Sequence, residues 1–280
     1  NKEEQDQTSI EVRYSSTFSD RFNFVVGVNQ FQQEYSIGER RNFFIALNSA
    51  TYSETEHDTF GVFGEINFNV TDALSLTAGG RWTKEEKSID IGILGSCELD
   101  FSSCTNNASN EKDWSNFSPK VSAQYQFTDD MMAYASWTRG FASGVFNARA
   151  ATLDAVGPTN PESVDSLEVG FKTSFLDGRG IFNIAYFQAD YEDLILFVNN
   201  PCDDCGASLI NFNAGEAEIS GFEAEVQLQP VDGLRLEASV GTVDPEFTNI
   251  KYFDANADGA VDSKDNALAS TWDFQKVAEL

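Results

Sequence analysis

From Val164 to Asp193 the chain alternates apolar and polar residues along two runs that meet at Asp177-Gly178. Leu167, Val169, Phe171 and Phe175 fall on one parity and Ser166, Glu168, Gly170 and Lys172 on the other, the period of a strand with one apolar face. Asp-Gly predicts a tight turn, because Gly178 tolerates positive φ and Asp177 bonds its own backbone two residues on. About thirteen residues at roughly 3.3 Å rise and a tilt near 45° cover about 30 Å, more than the ~25 Å apolar band of an outer membrane. This hairpin is long enough to cross a membrane.

The same unit recurs along the chain. Ile10, Val12, Tyr14 and Phe18 oppose Glu11, Arg13 and Ser15; Phe22, Phe24, Val26 and Val28 follow the turn at Ser19-Asp20-Arg21. Strands are predicted over Thr59 to Val70, from Leu74 through Trp82, over Pro119 to Phe127 and, in register either way, over Met131 to Arg139. Beyond the central hairpin, Phe222 to Leu228 and Leu234 to Val240 form another pair. Between the hairpins lie polar stretches, Gln30 to Glu56, Lys87 to Asp113, Gly140 to Pro161, Asn199 to Leu209 and one containing Asp254 to Asp265, all expected to be long loops. Tight turns near residues 20, 72, 129, 178 and 232 thus alternate with long loops, at a spacing of about fifty residues. An up-and-down barrel puts the former at one end and the latter at the other. A kelch-like propeller shares the spacing but needs four short strands per repeat.

Two further features bear on the solvent that the apolar face meets. Phe18, Phe22, Phe68, Phe127 and Phe175 all sit beside tight turns, as an interfacial girdle would. The opposite parity carries Glu65, Arg81, Lys120, Glu168, Lys172, Glu223, Glu225, Arg235 and Glu237, which suits a wet lumen or the outside of a soluble sandwich. Strand length favours the barrel. No apolar run approaches the roughly 18 residues of a spanning helix, so strands must do any spanning. The expected fold is all-β, an antiparallel up-and-down transmembrane β-barrel over residues 1–280, with about ten strands of a barrel of roughly 22. A net charge of −27 argues against nucleic acid or anionic lipid surfaces as partners and favours cations. The chain opens at Asn1 with no basic-apolar signal segment, which leads us to expect an internal fragment.

Several stretches resemble the β-barrel region of TonB-dependent outer-membrane receptors. Leu74 to Lys87, LSLTAGGRWTKEEK, is similar to that family's strand ending in Gly-x-Arg-aromatic-Thr. Tyr134 to Asn147, YASWTRGFASGVFN, looks like another of its strand ends, departing at Ala142 and Val145, where Lys and Gly are usual. Pro161-Glu162, Asp190 to Asp193 and Asn213 to Glu225, NAGEAEISGFEAE, extend the likeness over most of residues 8 to 247. The resemblance implies TonB-coupled uptake of a scarce ligand, most often a ferric siderophore, in the outer membrane of a Gram-negative bacterium. Outer-membrane lipid would surround the barrel, and the TonB complex would act through an N-terminal plug region missing here. The alternatives are a passive porin-like barrel and a soluble β-sandwich or propeller that binds carbohydrate.

Asp254, Asn256, Asp258, Ala260 through its carbonyl, Asp262 and Asp265 occupy the ligand positions of a twelve-residue calcium loop, with Gly259 at the sharp turn. Residues 254–265 are therefore expected to form a Ca²⁺ loop inserted in an extracellular loop, although position twelve is Asp rather than the bidentate Glu and no amphipathic helices flank it. No other cofactor is expected. Cys97 with Cys104 and Cys202 with Cys205 read plainly as two local disulfides; the C-x-x-C of the second pair is also a weak zinc signal. With a single histidine, His57, and no nucleophile elbow or phosphate loop, no enzyme is expected. Arg139, Asn147 and Arg149 flank a long loop and are the candidates for contact with a ligand.

Overall fold

The computed structural model describes residues 2–43, 47–93, 104–150, 152–202 and 206–250. Ten strands make one antiparallel sheet in which each strand pairs with its neighbour in sequence. They are β1 (Lys2–Ser15), β2 (Phe22–Phe43), β3 (Leu47–Asn69), β4 (Leu74–Gly92), β5 (Asn107–Thr128), β6 (Met131–Ala142), β7 (Glu162–Phe175), β8 (Gly180–Cys202), β9 (Gly206–Val231) and β10 (Leu234–Ile250). Among the described residues β1 and β10 each have one partner, so the sheet is open. No helix of the described residues is long and apolar enough to cross a membrane. The all-β, up-and-down expectation holds, and a sandwich or propeller, which would divide the strands among several sheets, does not.

The apolar parity forms one continuous outer face. Register puts Val12 opposite Val28, Val28 opposite Val62, Val62 opposite Trp82 and Trp82 opposite Phe117. Further round, Val121 meets Trp137, and Trp137 meets Leu167, which assigns the face of β6 that its sequence left open. These side chains are unusually bare for their type: Val12 is 65% exposed and Val169 47%. Large apolar groups at such exposure on both edges and the middle of a sheet need an apolar solvent. At the tight-turn margin Phe18, Phe22, Phe68, Phe127 and Phe175 are all exposed, and Phe18 stacks on Phe24 with centroids 5.9 Å apart. At the other margin Phe60 packs edge-on against Trp82 at 6.3 Å. Just past Trp82, Lys84 and Glu86 pair with each other on the outer face and end the apolar band.

The opposite face is polar and lines the inside. Glu65 pairs with Lys120 at 3.0 Å, and Arg81 donates to Asn29 at 2.5 Å. Inner aromatics lie across the wall rather than standing off it: Phe63 covers Gly27, Tyr134 covers Gly170 and Phe187 covers Gly221 on the neighbouring strand. A Cβ at Gly170 would overlap the Tyr134 ring, whose hydroxyl donates to Glu168 at 2.5 Å.

Two of the expected loops are largely strand, and a third is strand at both ends. β2 runs on to Phe43 and β3 starts at Leu47, where a loop from Gln30 to Glu56 was expected; β4 and β5 continue to Gly92 and from Asn107; β8 and β9 continue to Cys202 and from Gly206. Above the apolar band both faces meet water, so alternation vanishes while the ladder of backbone bonds persists. The central turn also differs from a two-residue connection. Phe175 pairs with Gly180, and Leu176, Asp177 and Gly178 all take positive φ, at 58°, 55° and 80°.

Candidate functional site

Among the described residues, the segment joining β6 to β7 is the expected loop that stays a loop, and it folds inward. Its sequence says why it can. Along β4 the apolar residues shift parity, from Leu74, Leu76 and Trp82 facing out to Ile89 and Ile91 facing in, with Ile93 just past the strand in the same cluster. Ile89 is 1% exposed and Ile91 0%, packed with Ala150 and Val156 of the segment in a buried cluster. Each fully buried isoleucine contributes about 1.5–3 kcal/mol. Hydrogen bonds close the segment on itself: Asn147 N–H donates to Val156 O at 2.8 Å and Thr159 N–H to Val145 O at 3.0 Å, while Val145 N–H donates to Thr159 Oγ1 at 2.9 Å.

Glu85 is the polar counterpart of that cluster. Ser143 Oγ donates to Glu85 Oε2 at 2.6 Å, and His57 Nε2 lies 3.1 Å from the same oxygen. Facing a carboxylate, Nε2 carries the proton and donates. Lys87 Nζ lies 3.7 Å from Glu85 and donates to Gly144 O at 3.2 Å, over the Trp114 ring. Gly144 sits so tightly on Thr159 and Trp114 that a Cβ would collide with both. Because Lys84 and Glu86 end the apolar band, Glu85 stands above the membrane-spanning part of β4.

The hydrogen bond from His57 holds the Glu85 carboxyl down, to about 2 from an ordinary 4.5; burial opposes this, and Ser143 and Lys87 assist. Burial pushes Lys87 down, with Glu85 restoring part of the loss. A depressed carboxyl stabilises the form it belongs to above its unfolded value and ceases to do so as pH falls through its folded one. Docking of the segment should therefore be unaffected by Glu85 titration between pH 5 and 8 and weaken as pH falls from about 4.5 towards 2. Limited proteolysis of the full-length protein across that range, read at the bonds around Thr152 and Leu153, would show it.

The sequence-derived candidates separate. Asn147 is 6% exposed and accepts from Arg149 N–H at 3.0 Å, so it builds the segment. Arg149 reaches Glu39 at 3.2 Å with half its side chain exposed. Arg139 does not look inward: register places it opposite Asp165, on the outer parity of Trp137 and Leu167, and its guanidinium holds both carboxylate oxygens of Asp165. Cys104 is disulfide-bonded. Cys97, Cys205 and the calcium-loop residues Asp254, Asn256, Asp258, Ala260, Asp262 and Asp265 lie outside the described residues, and Cys202 is described in its backbone alone. Sequence reading did not single out Glu85, Lys87, Ser143 or Trp114. Lower on the inner wall, a recess of about 440 Å³ is lined by Tyr134, Glu168, Lys172, Glu223, Glu225 and Ser239.

An open sheet with an apolar outside, aromatic margins, tight turns at one end and an inward-folded segment at the other has the build of part of a transmembrane β-barrel wall. The chain belongs to the TonB-dependent receptors: residues 2–275 match the family described as TonB dependent receptor-like, beta-barrel. The family is one of transport receptors, not of enzymes. Among similar proteins, the ferripyoverdine receptor of Pseudomonas aeruginosa is 26% identical over 191 residues, 67% of this chain and 21% of that protein. The ferric-pyoverdine 358 receptor of Pseudomonas putida is 25% identical over 174 residues, 62% of this chain and 20% of that one. The chain thus spans about a fifth of these relatives. The ferric yersiniabactin uptake receptor of Yersinia pestis superposes with a TM-score of 0.74 at 17% identity, over 88% of this chain and 36% of that one. The ferripyoverdine-bound receptor of P. aeruginosa gives 0.61 at 20% identity, over 88% and 33%. At these identities the superpositions show a shared fold.

Proposed function

We propose that this chain is the barrel wall of a Gram-negative outer-membrane receptor that takes up a ferric siderophore under TonB coupling. The observation that carries the reading is the family match across residues 2–275, joined to curated relatives that are ferripyoverdine receptors. In this reading lipid surrounds the apolar face and the ligand enters past the long upper strands. The TonB complex acts through a plug region not contained in these residues. The test is uptake of iron-labelled ferripyoverdine, and of a panel of other ferric siderophores, by cells carrying or lacking the full-length receptor. Receptor-dependent uptake that also needs TonB supports the proposal. Entry that survives loss of TonB favours a passive barrel instead, and failure of every ferric siderophore to enter rules the iron reading out.

Residues 254–265 are proposed to bind Ca²⁺ weakly, in the millimolar range of extracellular modules. Millimolar Ca²⁺ should then slow proteolysis within the loop of the full-length protein, and Asp258→Ala should abolish that protection. Equal cleavage with and without Ca²⁺ counts against the site.

A further inference from the structure

We infer that the segment joining β6 to β7, described over residues 143–150 and 152–161, is a fixed sill on the inner wall rather than a lid, and that Glu85 is the residue that positions it. A lid needs two positions of similar free energy and few bonds to break between them. This segment is tied instead to strands on two sides of the sheet. On one side Ser143 and Gly144 are held by Glu85 and Lys87 of β4, Ala150 and Val156 are buried on Ile89, Ile91 and Ile93, and Arg149 reaches Glu39 of β2.

On the other side Asn160 N–H donates to Asn213 Oδ1 of β9 at 2.8 Å, and Asn213 Nδ2 donates back to Asn160 O at 3.0 Å and to Asp193 O at 2.7 Å. Opening the segment as a unit would break these contacts together with its own cross-bonds and expose the buried isoleucines. Glu85 faces the segment and not the open lumen, since its side chain is 16% exposed and its Oε2 is shared by Ser143, His57 and Lys87. Its part is therefore to hold the boundary of the passage in place. That the passage carries a ligand rests on the receptor reading above; the rigidity of the sill does not.

Two measurements on the full-length protein separate those claims. In hydrogen exchange, the amides of Val145, Asn147 and Thr159 should exchange on the order of 100-fold or more slower than an unstructured peptide. Exchange faster than that overturns the sill. Glu85→Ala should accelerate these three amides at least about tenfold while leaving those of β7 unchanged, and Glu85→Gln, which still accepts from Ser143, should accelerate them less. Unchanged exchange in Glu85→Ala removes Glu85 from the positioning role. If that variant also loosens β7, Ser143→Ala, which deletes a single bond, replaces it and is read in the same way. In uptake, the pair Asn160→Cys and Asn213→Cys, cross-linked by oxidation, should import ferripyoverdine as the reduced form does; a loss reversed by reductant shows that the segment must move. Absence of ferripyoverdine import in every form, wild type included, fails the ligand reading and leaves the exchange result to decide the sill.

Discussion

Val169→Arg should lower the stability of the folded barrel by about 2–4 kcal/mol, because it places a guanidinium in lipid near mid-depth. Val169 lies on the outer parity of β7 between Leu167 and Phe171, flanked by Ala135 on β6 and Tyr186 on β8, with no acidic partner in its row. The matched control is Asn183→Arg on β8, whose register neighbours are Lys172 and Glu225 on the inner face. There the new charge meets water, with the Glu225 carboxylate on one side offsetting Lys172 on the other, and the cost should stay under about 1 kcal/mol. Urea titration of the full-length protein refolded into vesicles reads both. Equal losses would mean that the two faces are wrongly assigned.

Ile91→Ala should cost about 2–5 kcal/mol, but of a different kind. Ile91 is wholly buried on the inner face above the membrane, against a segment that no strand ladder holds. The cavity therefore weakens docking of the segment more than it weakens the sheet. The expected result is a large rise in proteolysis and amide exchange between Ser143 and Asn160, with little change in the urea midpoint of the whole protein. A midpoint shift of full size with no local loosening would show that the isoleucine cluster stabilises the wall itself.

These two variants mark where the sequence speaks clearly and where it does not. Between the tight turns and Trp82 every strand has lipid on one side and water on the other, so period-two alternation reports the fold directly. Above that level the contrast disappears, and the strands past Gln30, Lys87 and Asn199 looked like loops although their ladders continue. The inward segment left a readable mark in the parity shift from Trp82 to Ile89, since apolar residues on the inner parity require something to cover them. What covers them was not readable. Ser143 and Glu85 are 58 residues apart, and nothing local in either says that they meet. Likewise Arg149 keeps a half-exposed guanidinium at the inner mouth while Arg139, ten residues earlier, is turned outward by strand parity alone.

The glycines under the inner aromatic rings bear on the shape of the inner wall. Gly27, Gly170 and Gly221 let Phe63, Tyr134 and Phe187 lie down against the wall. A side chain at Gly27 or Gly170 would meet the ring first and push it off the wall, whereas at Gly221 it would collide with the Thr242 carbonyl oxygen on β10 before it reached Phe187. Gly27 and Gly170 therefore set how close to the wall the Phe63 and Tyr134 rings lie, and with it how far the inner face projects at those rows.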